Sequence, residues 1–169
     1  MGLLHIYCGN GKGKTTASLG LALRALGADM KVCFVQFMKG GETSELNVLN
    51  MIPNITILRC NRNYGFYKNM TNKEKSDITD CHNRIISTAF ECSFDMIILD
   101  EFNSAYSYGL IDKKLAENLI LNSKKNAEIV LTGRNPADIF IQTADYISEI
   151  NCKKHPFEKG ITARKGIEF

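Results

Sequence analysis

The sequence lacks the patterns that mark secreted, membrane-spanning or zinc-binding proteins. No apolar run approaches the ~18 residues that a transmembrane helix needs, and no signal-like segment precedes the first apolar run. The three histidines, at positions 5, 82 and 155, match no zinc-site spacing. We therefore expect structural or solvated histidines in a cytoplasmic protein that makes no membrane contact.

The cysteines also lack a recognisable framework. The six are at positions 8, 33, 60, 81, 92 and 152, and no two form a C-x-x-C pair. Cys81 and Cys92 fall on an apolar helical stripe, and Cys33 lies in a strand-like run. We expect small buried side chains here, with neither disulfides nor metal ligands.

Charge of either sign is only slightly in excess. The chain has 21 basic and 18 acidic residues, a net charge of +3, which is too small to indicate nucleic-acid binding. Two local clusters of basic residues are either solvated surface or contacts to an anionic substrate. They are Arg59, Arg62, Lys68, Lys73 and Lys75, and Lys153, Lys154, Lys159, Arg164 and Lys165.

What the sequence does contain is an alternation of strand-like and helix-like segments. Apolar strand-like runs occur at 3–7, 32–37, 55–58, 95–100, 127–132 and 144–150. Helical segments are predicted at 15–28, within 39–50, at 72–92 and around 115–120. Apolar strands alternating with helices predict a mainly parallel sheet covered on both faces. Without repeats or a linker, residues 1–169 are predicted to form a single, doubly wound α/β domain.

The strongest functional signal is the glycine-rich segment after the first strand. It reads Gly9, Asn10, Gly11, Lys12, Gly13, Lys14, Thr15 and Thr16. In such loops backbone N–H groups turn toward an anion, a lysine reaches the terminal phosphates, and a threonine hydroxyl is placed for Mg²⁺. Cys8 stands where the pattern G-x-x-x-x-G-K-[ST] has its first glycine, so we interpret the segment as a P-loop variant.

Ligands of parallel sheets bind beyond the carboxyl ends of the strands, and this rule selects further residues. Asp100 and Glu101 end an apolar strand, where a carboxylate of a P-loop site helps to hold Mg²⁺; a plain helix N-cap is the alternative. Gln36 is either a structural hydrogen-bonding residue or a ligand contact. Arg134 either faces the phosphates or pairs with a surface acid.

The loop after the third strand is unusually aromatic. Tyr64, Phe66 and Tyr67 lie together there, next to Lys68. These rings either pack back onto the core or form a wall for a large, flat, partly apolar ligand.

Together these segments resemble the P-loop ATP:corrinoid adenosyltransferases over nearly the whole chain. The matching motifs are 9–16 after a non-glycine residue, 35–40, 65–66, 99–101, 131–134, 144–149, and 154–157 with the tail that follows. The resemblance implies a P-loop NTPase (RecA-like) fold. It also implies transfer of the 5′-deoxyadenosyl group of ATP to the Co(I) of a corrinoid, cobalamin or cobinamide, with release of triphosphate.

The resemblance further implies roles for particular residues. The segment 9–16 would bind the triphosphate, which Lys14 would neutralise, and Mg²⁺ would be held by Thr15 with Asp100 and Glu101. Phe66 matches a phenylalanine that helps to remove the lower axial ligand of cobalt. The remaining implied contacts to ATP or the corrinoid are Gln36, Tyr67, Lys68 and Arg134, with Lys68 at the position of a family tryptophan.

The implied partners are the two small-molecule substrates, a flavin-type or other electron donor for Co(II), and a second copy of the chain in a homodimer. Nucleic acid and membranes are not among them.

Two other functions remain open at this stage. An ordinary P-loop ATPase or kinase-type phosphotransferase would release ADP instead of triphosphate. A non-catalytic corrinoid- or nucleotide-binding module would bind without turnover. The D-x-H-x-x-G signature of corrinoid carriers is absent, since Ile85 stands where Asp80-Cys81-His82 would need a glycine.

Overall fold

The computed structural model describes residues 2–41, 43–123 and 125–168. Its strands are β1 (Leu4–Cys8), β2 (Val32–Gln36), β3 (Ile55–Arg59), β4 (Met96–Asp100), β5 (Glu128–Thr132) and β6 (Tyr146–Glu149). Its helices are α1 (Lys14–Leu26), α2 (Ser44–Leu49), α3 (Asn72–Glu91), α4 (Phe102–Ser107), α5 (Lys113–Ser123) and α6 (Asp138–Thr143). All strand pairs are parallel, in the order β3-β2-β4-β5-β1-β6, which confirms the predicted α/β sheet.

The central strands are buried on both faces. Successive side chains of a strand point to opposite sides, so neighbouring apolar residues belong to different layers of the core. Phe34 and Ile98 pack in the layer formed with α1 and α2. Val35 and Leu99 pack in the layer formed with α3, α4, α5 and α6. This double cover explains why β2 and β4 are continuous apolar runs.

The edge strand β6 differs from that pattern. The sequence predicts apolar strands covered on both faces, yet every residue of β6 is exposed. Its partner is β1 alone, and Tyr146 and Ile147 are about half exposed, at 54% and 48%. The expectation of full cover is therefore wrong for this strand.

Two cysteine predictions are also wrong. Cys60, just after β3, and Cys81, on α3, form a disulfide. They are 21 residues apart in sequence, but α3 packs against β2 and β3 and brings them together. Cys92 is exposed because α3 ends at Glu91, before the apolar stripe reaches it.

Among the described residues, no helix combines the length and the apolar character that a bilayer span requires.

His82 is a buried structural histidine on α3, as predicted. Its Nε2 accepts a hydrogen bond from the Met38 N–H at 3.2 Å, and its Nδ1 lies 2.8 Å from the Leu110 carbonyl oxygen. These partners fit a neutral ring protonated at Nδ1. Burial lowers the pKa of His82 to about 4, although the bond to Leu110 opposes the shift.

This buried ring makes stability depend on pH. The pKa rises from about 4 in the folded protein to 6.5 in the unfolded chain, so protons bind preferentially to the unfolded chain between these values. The stabilisation that the neutral His82 ring allows is complete above pH 6.5. It is lost as the pH falls toward 4, and the free energy of unfolding decreases by about 3 kcal/mol. Urea unfolding across this range should show a smaller pH dependence for His82→Gln than for the unmodified protein. The control is His155→Gln in the exposed tail; equal pH dependence in all three proteins would contradict the account.

Candidate active site

The glycine-rich segment forms the connection between β1 and α1. Gly9 and Gly13 have φ angles of 98° and 118°, a region that glycine tolerates far better than other residues. Gly13 is the N-cap of α1 and has no side chain that could cap the helix. The first turn of α1, all of whose residues are described, also carries no acidic residue. The first N–H groups of α1, at the positive end of the helix dipole, are therefore available to bind an anion.

The end of β6 holds this loop closely. The Gly11 N–H donates to the Ile150 carbonyl oxygen at 2.7 Å. A Cβ atom at Gly9 or at Gly11 would come within 2.4 or 2.7 Å of that same oxygen. Asn10 accepts a hydrogen bond from the Cys152 N–H at 2.8 Å. A side chain at Gly9 or Gly11 would therefore clash with the Ile150 carbonyl group and displace the loop from the end of β6.

Lys14 folds back over the loop. Its Nζ donates to the carbonyl oxygens of Gly9 and Gly11 at 2.9 and 2.8 Å. Burial lowers the pKa of the Lys14 ammonium; attraction to Glu101 opposes the shift, and repulsion from Arg134 adds to it. A polyphosphate would be a stronger partner for this cation than two neutral carbonyl groups.

Asp100 is a fully buried carboxylate that connects three segments. Its Oδ1 accepts hydrogen bonds from the hydroxyls of Thr15, at 2.8 Å, and Thr132, at 2.7 Å. Its Oδ2 forms an ion pair with Lys39 Nζ at 3.1 Å. A buried charge is tolerated because these partners satisfy it. The start of α1, the end of β5 and the residues after β2 are therefore held together.

Glu101 has a left-handed backbone, with φ 58°, which is uncommon outside glycine. Its N–H donates to Thr132 Oγ1 at 2.9 Å, and its carboxylate accepts from Ser104 Oγ at 2.9 Å. It occupies the N-cap position of α4 but makes no capping hydrogen bond with its side chain. Its carboxylate lines a cavity together with Arg134, so the simple N-cap interpretation does not account for it.

Thr15, Asp100 and Glu101 offer the hard oxygen donors that Mg²⁺ prefers. The described residues contain no group of three or more His, Cys, Asp or Glu side chains placed to hold a metal. Mg²⁺ is commonly held by one or two carboxylates together with water and substrate phosphates. The oxygen donors of these three residues fit such a complex by their chemistry.

A cavity of about 1040 Å³ opens beside these carboxylates. Its polar lining includes Lys39, Glu101 and Arg134. The aromatic loop and the residue after α4 also contribute to the lining, with Phe66, Tyr67, Lys68 and Tyr108. This volume is sufficient for a large organic ligand.

The aromatic loop combines both interpretations left open by the sequence. Tyr64 and Tyr67 pack against a small apolar cluster, and Tyr67 stacks on Tyr108 with ring centroids 4.4 Å apart. Phe66 is 83% exposed and lines the cavity. The tyrosines therefore support the loop, while the Phe66 ring is exposed and lines the cavity.

Gln36 does not line this cavity. It is fully buried, its Nε2 donates to Glu45 Oε1 at 3.4 Å, and its Oε1 has no partner among the described residues. Glu45 does line the cavity, so Gln36 contacts a residue of the cavity lining without belonging to the lining itself. Of the two alternatives, the geometry favours a supporting role.

The predicted basic clusters contribute little to the cavity, and some of their members pair elsewhere. Arg62 pairs with Asp77, and Arg164 pairs with Glu168 in the tail. Glu168 also accepts from Lys12 of the P-loop at 3.1 Å. Of the ten clustered basic residues, Lys68 alone is part of the described cavity lining.

Several residues of the site were not given individual roles from the sequence. They are Lys39, Glu45, Ser104, Tyr108 and Thr132. Lys39 and Thr132 lie within the motifs 35–40 and 131–134, at or just beyond the carboxyl ends of strands, so the strand-end rule locates them without assigning them a role. Tyr108 carries no comparable signal, since only the fold brings it to the aromatic loop.

Comparison with known proteins agrees with this arrangement. Residues 1–169 match the family model described as ATP:corrinoid adenosyltransferase BtuR/CobO/CobP. The corrinoid adenosyltransferase of Escherichia coli (strain K12) is 31% identical over 175 residues, 99% of this chain and 86% of the relative. The corrinoid adenosyltransferase of Pseudomonas aeruginosa is 33% identical over 175 residues, which cover 99% of this chain and 84% of the relative. Corrinoid adenosyltransferase CobA of Salmonella typhimurium is 32% identical over 178 residues, which cover 99% of this chain and 86% of the relative.

A glycine-rich loop at the start of α1, a buried carboxylate at its side and a match along the whole sequence thus lead to one conclusion: the chain belongs to the ATP:corrinoid adenosyltransferase family.

Proposed function

We propose that this protein transfers the 5′-deoxyadenosyl group of ATP to the Co(I) of a corrinoid and releases triphosphate. The observation that carries the proposal is the composition of a single cavity. Its lining combines Glu101 and Arg134, which interact electrostatically with Lys14 of the P-loop, with Phe66 and the Tyr67–Tyr108 stack. A phosphotransferase needs only the charged residues, whereas a large, partly apolar corrinoid would use the aromatic ones.

The reaction breaks a carbon–oxygen bond and leaves every phosphorus–oxygen bond intact. The cobalt of the substrate supplies an electron pair to C5′, so the Co–C5′ bond forms as the C5′–O5′ bond breaks. The bonding pair leaves on O5′ with triphosphate, and cobalt changes from Co(I) to Co(III). The protein needs no nucleophile of its own, because the corrinoid supplies the difficult chemistry.

The residues of this chain would therefore orient the substrates and stabilise the leaving group. The P-loop segment 9–16 binds the triphosphate, and Lys14 exchanges its two carbonyl partners for phosphate oxygens. Arg134 adds positive charge in the cavity lining. Thr15, Asp100 and Glu101 would hold Mg²⁺, which when bound supplies further charge for the leaving triphosphate.

We assign Phe66 to the corrinoid, at the face from which the lower axial ligand of cobalt is removed. Loss of that ligand makes Co(II) easier to reduce, and a flavin-type or other donor supplies the electron. The exposure of the Phe66 ring and the support of its loop by Tyr67 favour this role. Lys68 lines the same cavity and occupies the position of the family tryptophan. Removal of the lower axial ligand therefore depends more on Phe66 in this protein.

We further propose a cytoplasmic homodimer whose subunits are single domains. Support for the dimer comes from β6, which among the described strands pairs with β1 alone and carries exposed Tyr146 and Ile147 side chains.

The phosphate product distinguishes this function from its rivals. Incubation of the protein with Mg–ATP and chemically reduced cobalamin should give equal amounts of triphosphate and the Co–C product. Lys14→Ala should lower the rate by at least about a hundred-fold, because the leaving triphosphate loses a buried cation. Lys31→Ala, at the opposite end of β2, is the control. ADP without a Co–C product would contradict the proposal, and corrinoid binding without turnover would indicate a binding module.

The role of Phe66 predicts a dependence on the starting oxidation state of cobalt. Phe66→Ala should slow the reaction from Co(II) with a reductase by at least about ten-fold more than the reaction from preformed Co(I), since only the first requires loss of the axial ligand. The control is Met51→Ala, which removes a comparably exposed apolar side chain, 77% against 83%, that does not line the cavity. Equal losses from both starting states would mean that Phe66 contributes only contact area.

A further inference from the structure

The residues after β2 form a rigid backbone support for one lysine. Met38 has a left-handed φ of 58°, and its N–H donates to the buried His82 ring at 3.2 Å. The Arg59 guanidinium donates to the carbonyl oxygens of Lys39 and Gly41 at 3.0 and 2.6 Å. The backbone on both sides of Lys39 is therefore fixed from two directions.

Gly40 adds a third constraint. A Cβ atom at this position would lie 2.0 Å from the Arg62 carbonyl oxygen, so only glycine permits the close approach of the two loops. The loop that carries Lys39 thus rests directly against the start of the aromatic loop. Movement of the Lys39 ammonium must come from its side chain, which is 31% exposed and lines the cavity.

The ammonium lies next to the phosphate end of the site. Lys39 Nζ is 3.1 Å from Asp100 Oδ2, and Asp100 Oδ1 is 2.8 Å from the Thr15 hydroxyl of the P-loop. Two polar contacts therefore link Lys39 to the position where the phosphates are expected. Lys39 also lines the cavity, together with residues of the aromatic loop.

We propose that Lys39 is a second cation for the triphosphate. In the ligand-free fold it neutralises the buried Asp100 carboxylate, which would otherwise be costly. When ATP binds, its side chain turns toward the polyphosphate, and it stays there as O5′ leaves with the electron pair of the broken C5′–O5′ bond. Lys14 approaches the phosphates from the P-loop, and Lys39 approaches them from the cavity. This inference rests on the proposed function.

The test compares Lys39→Met, which keeps length and loses charge, with Lys39→Arg, which keeps charge. Binding of inorganic triphosphate, with and without Mg²⁺, is measured by calorimetry, together with KM for ATP and kcat from preformed Co(I). Lys39→Met should weaken triphosphate binding by about ten-fold to a hundred-fold, and Lys39→Arg should restore most of the affinity. The control is Lys31→Met, at the opposite end of the same strand.

The outcomes separate this inference from the proposed function. Unchanged triphosphate affinity in folded Lys39→Met would overturn the inference, even if its unfolding free energy fell, because Lys39 would then serve Asp100 alone. Calorimetry does not depend on turnover. If the unmodified protein binds triphosphate in a manner that requires Lys39 but forms no Co–C bond, the inference stands and the proposed function fails.

Discussion

The buried carboxylate of Asp100 is the constraint on which the site depends. It ends β4, a strand whose five residues are all buried, and has three side-chain partners, Thr15, Thr132 and Lys39. Each partner belongs to a different segment, so the charge fixes the start of α1, the end of β5 and the loop after β2 relative to one another. Loss of one partner of a buried charge typically costs about 3–5 kcal/mol. The same group lies next to the hydroxyl of Thr15 at the start of the P-loop helix, so the element that organises the fold also borders the proposed nucleotide site.

From this point the site extends in two directions. Toward β6, the glycine-rich loop offers backbone N–H groups and Lys14 to phosphates, and Ile150 leaves no room for a side chain at Gly9 or Gly11. Away from it, the cavity passes Lys39 and Glu101 and reaches the exposed Phe66 ring. Such an arrangement suits a reaction in which triphosphate is held as a leaving group while a second, larger substrate approaches from the aromatic side.

Features determined by local pattern could be predicted from the sequence, and features determined by distant contacts could not. The six strands, the glycine-rich loop and the Asp100–Glu101 pair follow from short-range patterns and the rule that ligands meet strand ends. Helices α4 and α6 were missed because each is only six residues long and offers too little periodicity. The Cys60–Cys81 disulfide and the Tyr67–Tyr108 stack join residues far apart in the chain, so no local sequence pattern predicts them.

The central claim is that the bond broken in ATP joins C5′ to oxygen. It is tested by ATP that carries ¹⁸O in the bridge between C5′ and the α-phosphorus, incubated with Mg²⁺, reduced cobalamin and the protein. Mass spectrometry of the products locates the label. The account predicts that all of it leaves with triphosphate and that the adenosyl group retains none. Label retained on the adenosine part of an ADP or AMP product would contradict the account.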